Sequence, residues 1–363
     1  MPEAKYDTSR FSRQTILEQF GPDAQLKLAE SKVLIIGCGG LGVPAALYLN
    51  AAGVGTIGLM DADVISVSNL HRQVIFRESD IGTKKLERLA QFLEEQNSAS
   101  NVLKHNQFAR GNQLLNKVKN YDLVLDCTDN FESRYLINDA CSLCSKPMVY
   151  GAVNGFEGQV AVFNLIKEDG VSGNYRDIFP KAPEAGTVQN CEEAGVIGNL
   201  PGIIGTVMAG EAIKVITEVG ETLHNKLWIF DGLSMMSQVL KYKSKGLAIE
   251  ALQSNFQQSC RVFDVPTLNW NTIKDWEESN SEFQLIDVRE VNEHQIRNVG
   301  GRNIPLSTIN LYASELITLG KPLVFYCQTG QRSSRAVFDL IDYADQESVE
   351  AYSVEGGIKA FPS

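Results

Sequence analysis

Two groups of residues in this chain have the types and the spacing to do chemistry. The first is Gly37-Cys38-Gly39-Gly40-Leu41-Gly42, which follows an apolar run from Lys32. An Ala/Leu-rich helical pattern, a second apolar run and Asp61 come after it. Glycines at such a turn let backbone N–H groups approach a phosphate at the helix N-terminus, and an acid about 20 residues beyond accepts hydrogen bonds from a ribose. Alone, this pattern fits a nicotinamide or flavin site as well as any other nucleotide site. The accompanying charges narrow it. Arg13, Arg72 and Lys85 lie on three separate segments, and Asp61, Asp63 and Asp129 are expected at or just past strand ends. In an open α/β sheet those ends form one crevice. Hydride transfer needs few cations there. Breaking a phosphoanhydride needs several, plus an acid for Mg2+.

The second group is Cys327-Gln328-Thr329-Gly330-Gln331-Arg332. A strand over Pro322–Tyr326 delivers the cysteine into a six-residue loop, and a helix is expected from Arg332 to Ile341. Backbone N–H groups in such a loop form an anion nest that, with the helix dipole, stabilises a thiolate or persulfide. Cys191 is another candidate thiol. It follows a Gly/Pro/charge-rich stretch, 167–190, read as a long loop, and precedes a helix expected to begin near Glu192. A helix N-terminus lowers a thiol pKa, while Glu192 and Glu193 oppose that, so a structural role for Cys191 stays open.

The elements that must hold these groups divide the chain in two. At 363 residues it exceeds one typical core. Residues 1–245 read as one α/β domain with a mostly parallel, Rossmann-like sheet. Residues 246–262 lose periodicity and read as a linker, and 263–363 start a second, smaller βα series. Residues 10–30 read as two short helices interrupted at Gly21-Pro22, Gly82–Gln96 as a helix, and Tyr121–Asp126 as a buried strand that emits Cys127-Thr128-Asp129-Asn130. A net charge of −11 argues against a nucleic-acid backbone as partner. No membrane span is expected, since Val196–Ile213 is broken by glycines, a proline and Glu211. The N-terminus has no apolar signal region, and seven scattered cysteines suit reduced thiols, so a cytoplasmic enzyme is expected.

Seven motifs over roughly residues 8–245 resemble the MoeB/ThiF family, whose fold is shared with ubiquitin-activating enzymes. They are Arg10-Phe-Ser-Arg13-Gln, the glycine turn, Asp61-x-Asp63, Ser68-Asn69-Leu70-His71-Arg72-Gln73, Gly82-Thr-Lys-Lys85, Asp126-Cys-Thr-Asp129-Asn130-x-x-x-Arg134 and Cys191-Glu-Glu-Ala-Gly-Val196. The resemblance implies adenylation of the C-terminal Gly-Gly carboxylate of a small ubiquitin-like carrier protein, using ATP and Mg2+. It implies that Gly40 with Gly37, Gly39 and Gly42 holds phosphates and that Asp61 holds the ribose. Asn69, Arg72 and Lys85, within the Ser68–Gln73 and Lys85 segments, neutralise the triphosphate. Asp129 binds Mg2+, Asn130 lines the pocket, and Arg13 is donated across a homodimer interface. Asp287-Val-Arg289-Glu290, Asn303-Ile-Pro305-Leu306, the Cys327–Arg332 loop and the closing Glu355-Gly-Gly357 resemble a rhodanese domain. Four residues between Cys327 and Arg332 suit a sulfur atom, whereas phosphatases of related architecture have five.

Two departures accompany the resemblance. Many relatives bind a structural zinc through two Cys-x-x-Cys pairs, but here the first pair's position reads Asn174-Tyr-Arg-Asp177, and near the end of the domain only Cys260 appears. No structural zinc is expected, and Cys141-x-x-Cys144 reads as apolar packing. In the second domain the histidine of the H-I-x-G-A motif is replaced by Arg297. The combined expectation is a carrier-protein adenylyltransferase fused to a sulfurtransferase. It would be fed by a persulfide donor such as a cysteine desulfurase and would leave a thiocarboxylate on the carrier. Molybdopterin synthesis is the favoured pathway, beside thiamine synthesis and tRNA thiolation. Two alternatives remain: an activator of a ubiquitin-like modifier whose rhodanese domain only docks, and a nicotinamide-dependent oxidoreductase.

Overall fold

The computed structural model describes residues 6–109, 111–167, 170–181, 195–246, 249–252, 265–344 and 349–362. It forms two compact units, Met1–Gln258 and Ser259–Ser363. Much of the expected linker, and both Cys191 and Cys260, lie outside the described residues.

The first unit is built on strands β1 (Lys32–Ile36), β2 (Thr56–Met60), β3 (Asn101–His105), β4 (Leu123–Asp126), β5 (Met148–Asn154) and β6 (Glu157–Phe163). A small hairpin, β7 (Ile166–Lys167) and β8 (Gly170–Val171), and strands β9 (Lys226–Asp231) and β10 (Met236–Lys241) complete it. Eight of these form one sheet in the order β10-β9-β6-β5-β4-β1-β2-β3. From β3 through β5 the pairs are parallel, and β6, β9 and β10 are antiparallel. The chain runs outward from β1 to β2 and β3, then returns to place β4 on the other side of β1. That reversal opens a crevice at the carboxyl ends of β1 and β4. Alternate residues of β1 serve opposite faces. Val33 and Ile35 pack with Ile57, Leu59 and Leu125, while Leu34 and Ile36 pack with Met60, Val124 and Tyr135. Helices Gly42–Ala52, Lys85–Gln96 and Leu200–Thr217 contribute to the first of these cores and helix Phe131–Leu143 to the second. A sheet covered on both faces is why these strands read as continuous apolar runs.

Leu200–Thr217 is long and apolar enough by length and composition to cross a membrane. Here its Ile204, Met208 and Ala212 are buried against the sheet, and Glu211 accepts a 2.8 Å hydrogen bond from the Leu223 N–H. It begins at Leu200, and the helix start expected near Glu192 lies outside the described residues. The 167–190 stretch is not wholly loop, because it contains β8 and the short helix Tyr175–Ile178. Gly21-Pro22 does not interrupt a helix but opens one, Gly21–Glu30, with proline in the first turn, where its missing N–H costs nothing.

At the position where zinc-binding relatives carry their first Cys pair, Asp177 is a polar clip. It is buried, and its two carboxylate oxygens accept 2.8 Å bonds from the N–H groups of Asn174 and Lys245. Arg176 beside it makes a bidentate pair with buried Asp139 at 2.7–2.8 Å. Cys141 is fully buried and Cys144 half-buried, with its sulfur 3.7 Å from the Leu115 carbonyl.

The second unit has strands β11 (Thr267–Leu268), β12 (Gln284–Asp287), β13 (Arg302–Asn303), β14 (Leu323–Tyr326) and β15 (Ala351–Val354). They form an all-parallel sheet in the order β11-β15-β14-β12-β13. β14 is central and wholly buried, so Cys327 leaves the carboxyl end of the middle strand. A large α/β domain with a mostly parallel sheet and a smaller α/β domain are the fold class expected from the sequence.

The clip has a measurable consequence. Asp177→Ala leaves the buried Asn174 N–H and the part-buried Lys245 N–H without their acceptor, a loss of about 1–3 kcal/mol and roughly 3–10 °C in melting temperature. A chelator added to the unchanged protein is expected to leave the melting temperature where it was.

Candidate active sites

The glycine turn is threaded against the end of β4. Gly37 has φ +96°, and a Cβ there would lie 2.7 Å from the Cys127 carbonyl oxygen. A Cβ on Gly42, the first residue of helix Gly42–Ala52, would overlap the Gly37 carbonyl oxygen. Only glycine permits either approach. At Gly40 a Cβ would sit 2.9 Å from Pro201 Cβ and 3.6 Å from Arg72 Cδ, and at Gly39 3.4 Å from the Gln73 amide nitrogen. The turn therefore meets four segments: the β4 end, the Ser68–Gln73 segment, and the N-termini of helices Gly42–Ala52 and Leu200–Thr217.

Asp61 fixes the turn from the β2 side. One carboxylate oxygen accepts from the Cys38 N–H at 2.6 Å and the other from the Asp63 N–H at 2.7 Å. Burial, then the neighbouring Asp63 carboxylate, push its pKa up, against the pull of Lys85. Lys85, the buried first residue of helix Lys85–Gln96, holds its ammonium 2.9 Å from Asp63. The guanidinium of Arg72 donates 2.7 Å bonds to the Ser68 carbonyl and to the imidazole of exposed His71. Asn69 is buried and accepts from the Ser66 N–H at 3.1 Å, closing its own turn, while Leu70 packs on the core. Gln73 is 2% exposed, and its carbonyl oxygen has no hydrogen-bond partner.

On the β4 side, Asp129 is exposed, and Asn130 caps helix Phe131–Leu143 by accepting from the Ser133 N–H at 2.9 Å. Two residues behind them escaped the sequence reading as a unit. Asp126 is fully buried, and one of its oxygens accepts from both the N–H (3.0 Å) and the hydroxyl (2.6 Å) of Thr128; the other has no partner. Burial raises its pKa against the nearby charge of Arg134. Arg134 is itself buried, donates to the Thr128 carbonyl at 3.3 Å and stacks on Tyr150. The pair clamps Thr128 and so positions Asp129. The available signal was an acid ending an otherwise apolar strand, with an arginine eight residues on.

Arg13 does not reach this crevice in its own chain. It is exposed on the short helix Ser12–Thr15, whose neighbours Phe11 and Gln14 pack on Gly53 and Ala52. Those residues end the 11-residue helix that starts at Gly42, about 16 Å along its axis from the turn.

In the second unit Cys327 is buried at 1% exposure, and its sulfur accepts from the Gly330 N–H at 3.2 Å and the Ser333 hydroxyl at 3.6 Å. The cysteine carbonyl is held by the Ile358 N–H at 2.7 Å. Helix Gln331–Ala344 starts one residue before Arg332. Gln328 and Thr329 span the loop to Gly330, which has φ +97°. Arg332 makes a bidentate pair with Glu293 at 2.6–2.7 Å. Beneath it, burial alone would raise the Asp287 pKa, but hydrogen bonds from Arg289 and His294 outweigh it and hold it low. Arg297, in the position of the family histidine, gives its carbonyl to Arg289 at 2.6 Å.

A nucleotide-type crevice at the switch point of one sheet and a cysteine loop at the centre of another define a two-domain α/β enzyme. Residues 11–248 match the ThiF family and residues 272–363 the rhodanese-like domain, and the chain belongs to the ThiF family. It is 37% identical over 369 residues to the probable adenylyltransferase/sulfurtransferase MoeZ of Mycobacterium tuberculosis, covering 99% of this chain and 93% of that one. It is 34% identical to the adenylyltransferase and sulfurtransferase MOCS3 of Aedes aegypti, covering 98% and 86%. Among solved structures, E. coli MccB bound to ATP superposes with a TM-score of 0.55 at 23% identity, covering 68% of this chain and 75% of that one, a likeness of fold. This chain is an enzyme of the adenylyltransferase and sulfurtransferase type, with one domain for each activity.

The Glu293–Arg332 pair sets an acid limit. The Arg332 hydrogen bonds hold the Glu293 carboxyl down at about 2, from an ordinary 4.5. Its stabilisation is therefore complete above about pH 4.5 and is lost as the pH falls towards 2. Glu293→Gln is expected to flatten this part of the stability profile, read by thermal melts between pH 5 and 2.

Proposed function

We propose that the first domain uses ATP to adenylate the C-terminal Gly-Gly carboxylate of a small ubiquitin-like carrier, and that Cys327 then supplies sulfur to make a thiocarboxylate. The observation that carries this is the joining, in one chain, of a cation-bearing glycine crevice to a buried cysteine cradled by N–H and O–H donors.

The crevice residues fit a nucleoside triphosphate. Gly40 leaves room beside two helix N-termini, Arg72 and Lys85 supply positive charge, and Gln73 offers a buried acceptor. Asn69 keeps Arg72 in register through the Ser66–Asn69 turn. Asp61 presents its remaining lone pairs to the ribose, and Asn130 lines the pocket. Mg2+ fits here as an ion held by Asp129 together with substrate phosphates, a set with one protein carboxylate. When bound it neutralises phosphate charge. The carrier carboxylate attacks the α-phosphorus, the bond to the bridging oxygen breaks, and pyrophosphate leaves. Arg72 and Lys85 let two anions meet, and losing either typically lowers the rate by about 10²–10³.

In the second step the terminal sulfur of a Cys327 persulfide, loaded by a donor such as a cysteine desulfurase, attacks the acyl carbon and AMP leaves. The carrier is then joined to Cys327 through a disulfide. The Cys191 thiolate attacks the Cys327 sulfur and releases the carrier thiocarboxylate. A Cys191–Cys327 disulfide remains, which a dithiol reductant resets. Residues 1–245 would house the first step and 263–363 the persulfide. The setting is cytoplasmic, with molybdopterin synthesis favoured over thiamine synthesis and tRNA thiolation.

Mass spectrometry of candidate carriers incubated with ATP, Mg2+ and a sulfur donor tests this. A carrier gaining about 16 Da, with the gain lost in Cys327→Ala while adenylate still forms, is expected; adenylate without any sulfur gain contradicts the second step. Arg13 sits far from its own crevice beside exposed Ile16 and Leu17, which supports a homodimer with Arg13 acting on the second copy. Mixing inactive Arg13→Ala and Lys85→Ala proteins is then expected to restore adenylation to about a quarter of the unsubstituted protein's activity. No restoration contradicts the exchange.

A further inference from the structure

Behind the reactive sulfur lies a cluster of three serines that the proposed reaction has not used. Ser333 and Ser353 are buried at 0% and 1% exposure, and Ser334 is half-buried. Ser333 and Ser334 open helix Gln331–Ala344, while Ser353 comes from β15, the strand beside β14. The Ser333 hydroxyl has three neighbours within reach. They are the Cys327 sulfur at 3.6 Å, the Gly330 carbonyl at 3.0 Å and the Ser353 hydroxyl at 2.9 Å. Ser334 donates to the Gly330 carbonyl at 2.8 Å and also lies 3.0 Å from the Ser353 hydroxyl. The Ser353 hydroxyl is 3.4 Å from the same carbonyl.

Each hydroxyl carries one proton, so their directions can be counted. The Gly330 carbonyl takes the Ser334 hydroxyl at 2.8 Å and the Ser334 N–H at 2.9 Å, which together use its two lone pairs. Ser353, farther from that carbonyl, has its best acceptor in the Ser333 oxygen. Ser333, receiving from Ser353, is then free to point its own proton at sulfur. The result is a chain, Ser353 to Ser333 to Cys327, in which each donor polarises the next. Arg332 does not do this work in place of the serines, because its fork is engaged by Glu293. Both Ser333 and Ser353 are too buried for bulk water to replace the chain.

We propose that Ser353 is a positioning residue for sulfur transfer: it donates to Ser333 and so commits the Ser333 proton to the Cys327 thiolate and persulfide. The inference rests on Cys327 as the sulfur-carrying residue. With thiosulfate as a probe donor, the Cys327 thiolate attacks the sulfane sulfur, the sulfur–sulfur bond of thiosulfate breaks and sulfite leaves.

The test separates the relay from the reaction it serves. On the full-length chain, peptide-resolved alkylation of Cys327 by iodoacetamide is followed against pH to give the midpoint of thiolate formation, with a thermal melt for each variant. Ser333→Ala is expected to raise the midpoint by about one unit, the loss of one charge-assisted hydrogen bond. Ser353→Ala, which touches no sulfur, is expected to raise it by about half a unit, and Ser353→Thr, which keeps the hydroxyl, to restore it. The double variant is expected to shift no further than Ser333→Ala alone, because Ser353 acts through Ser333. A Ser353→Ala midpoint equal to the unchanged protein, or a double variant showing the two full shifts added, overturns the relay whatever the melts show. Persulfide formation from thiosulfate, measured separately by mass, reports on the reaction. If it fails while the midpoints behave as expected, the sulfur-transfer reading fails and the relay stands as a thiolate-stabilising device.

Discussion

The first domain depends on how closely a backbone turn can lie against a strand end. Gly37 approaches the Cys127 carbonyl to a distance that excludes any side chain, and Gly42 packs on Gly37 itself. That proximity puts the Cys38 N–H where Asp61 can accept from it. Asp61 then draws in the backbone of Asp63, whose side chain holds Lys85 at the start of its helix. The Ser68–Gln73 segment closes over Gly39 and Gly40 from above. Substituting either Gly37 or Gly42 would therefore disturb the acids and cations as a set, even though neither glycine carries a functional group.

In both domains the candidate site lies at the carboxyl ends of parallel strands, yet the two are lined by opposite kinds of polar groups. The first concentrates side-chain cations, which suits a multiply charged substrate arriving from solution. The second directs its nearest arginine to Glu293 and leaves the sulfur to N–H and O–H dipoles. A single buried thiolate or persulfide needs only a few fixed dipoles at low dielectric.

Much of this was readable along the chain because it is local. The glycine turn, Asp61 and the Cys327 loop are short motifs that spacing alone picks out, whereas the Ser68–Gln73 segment and Lys85 take their expected roles from the family resemblance. What could not be read were partners distant in sequence. Arg332 closes the cysteine loop in the sequence, and nothing near it says that Glu293, 39 residues earlier, engages its guanidinium. Lys85 reads as a phosphate cation, and its pairing with Asp63, 22 residues earlier, is not visible in the motif. Asp126 and Arg134 looked like parts of a motif and turn out to be a buried clamp on Thr128. The strand Asn101–His105 was not anticipated, because an edge strand carrying charged and half-exposed residues lacks the apolar run of its neighbours. Asp177 shows the same limit: nothing local says that its carboxylate ties together two backbone segments 68 residues apart.

The account stands on the crevice accepting ATP and a carboxylate together. ATP–pyrophosphate exchange measured with and without a Gly-Gly-terminated carrier tests that most directly. Exchange that appears only when the carrier is present and disappears when its terminal glycine is removed is the predicted result. Exchange indifferent to the carrier, or none with any Gly-Gly carrier supplied, would contradict it.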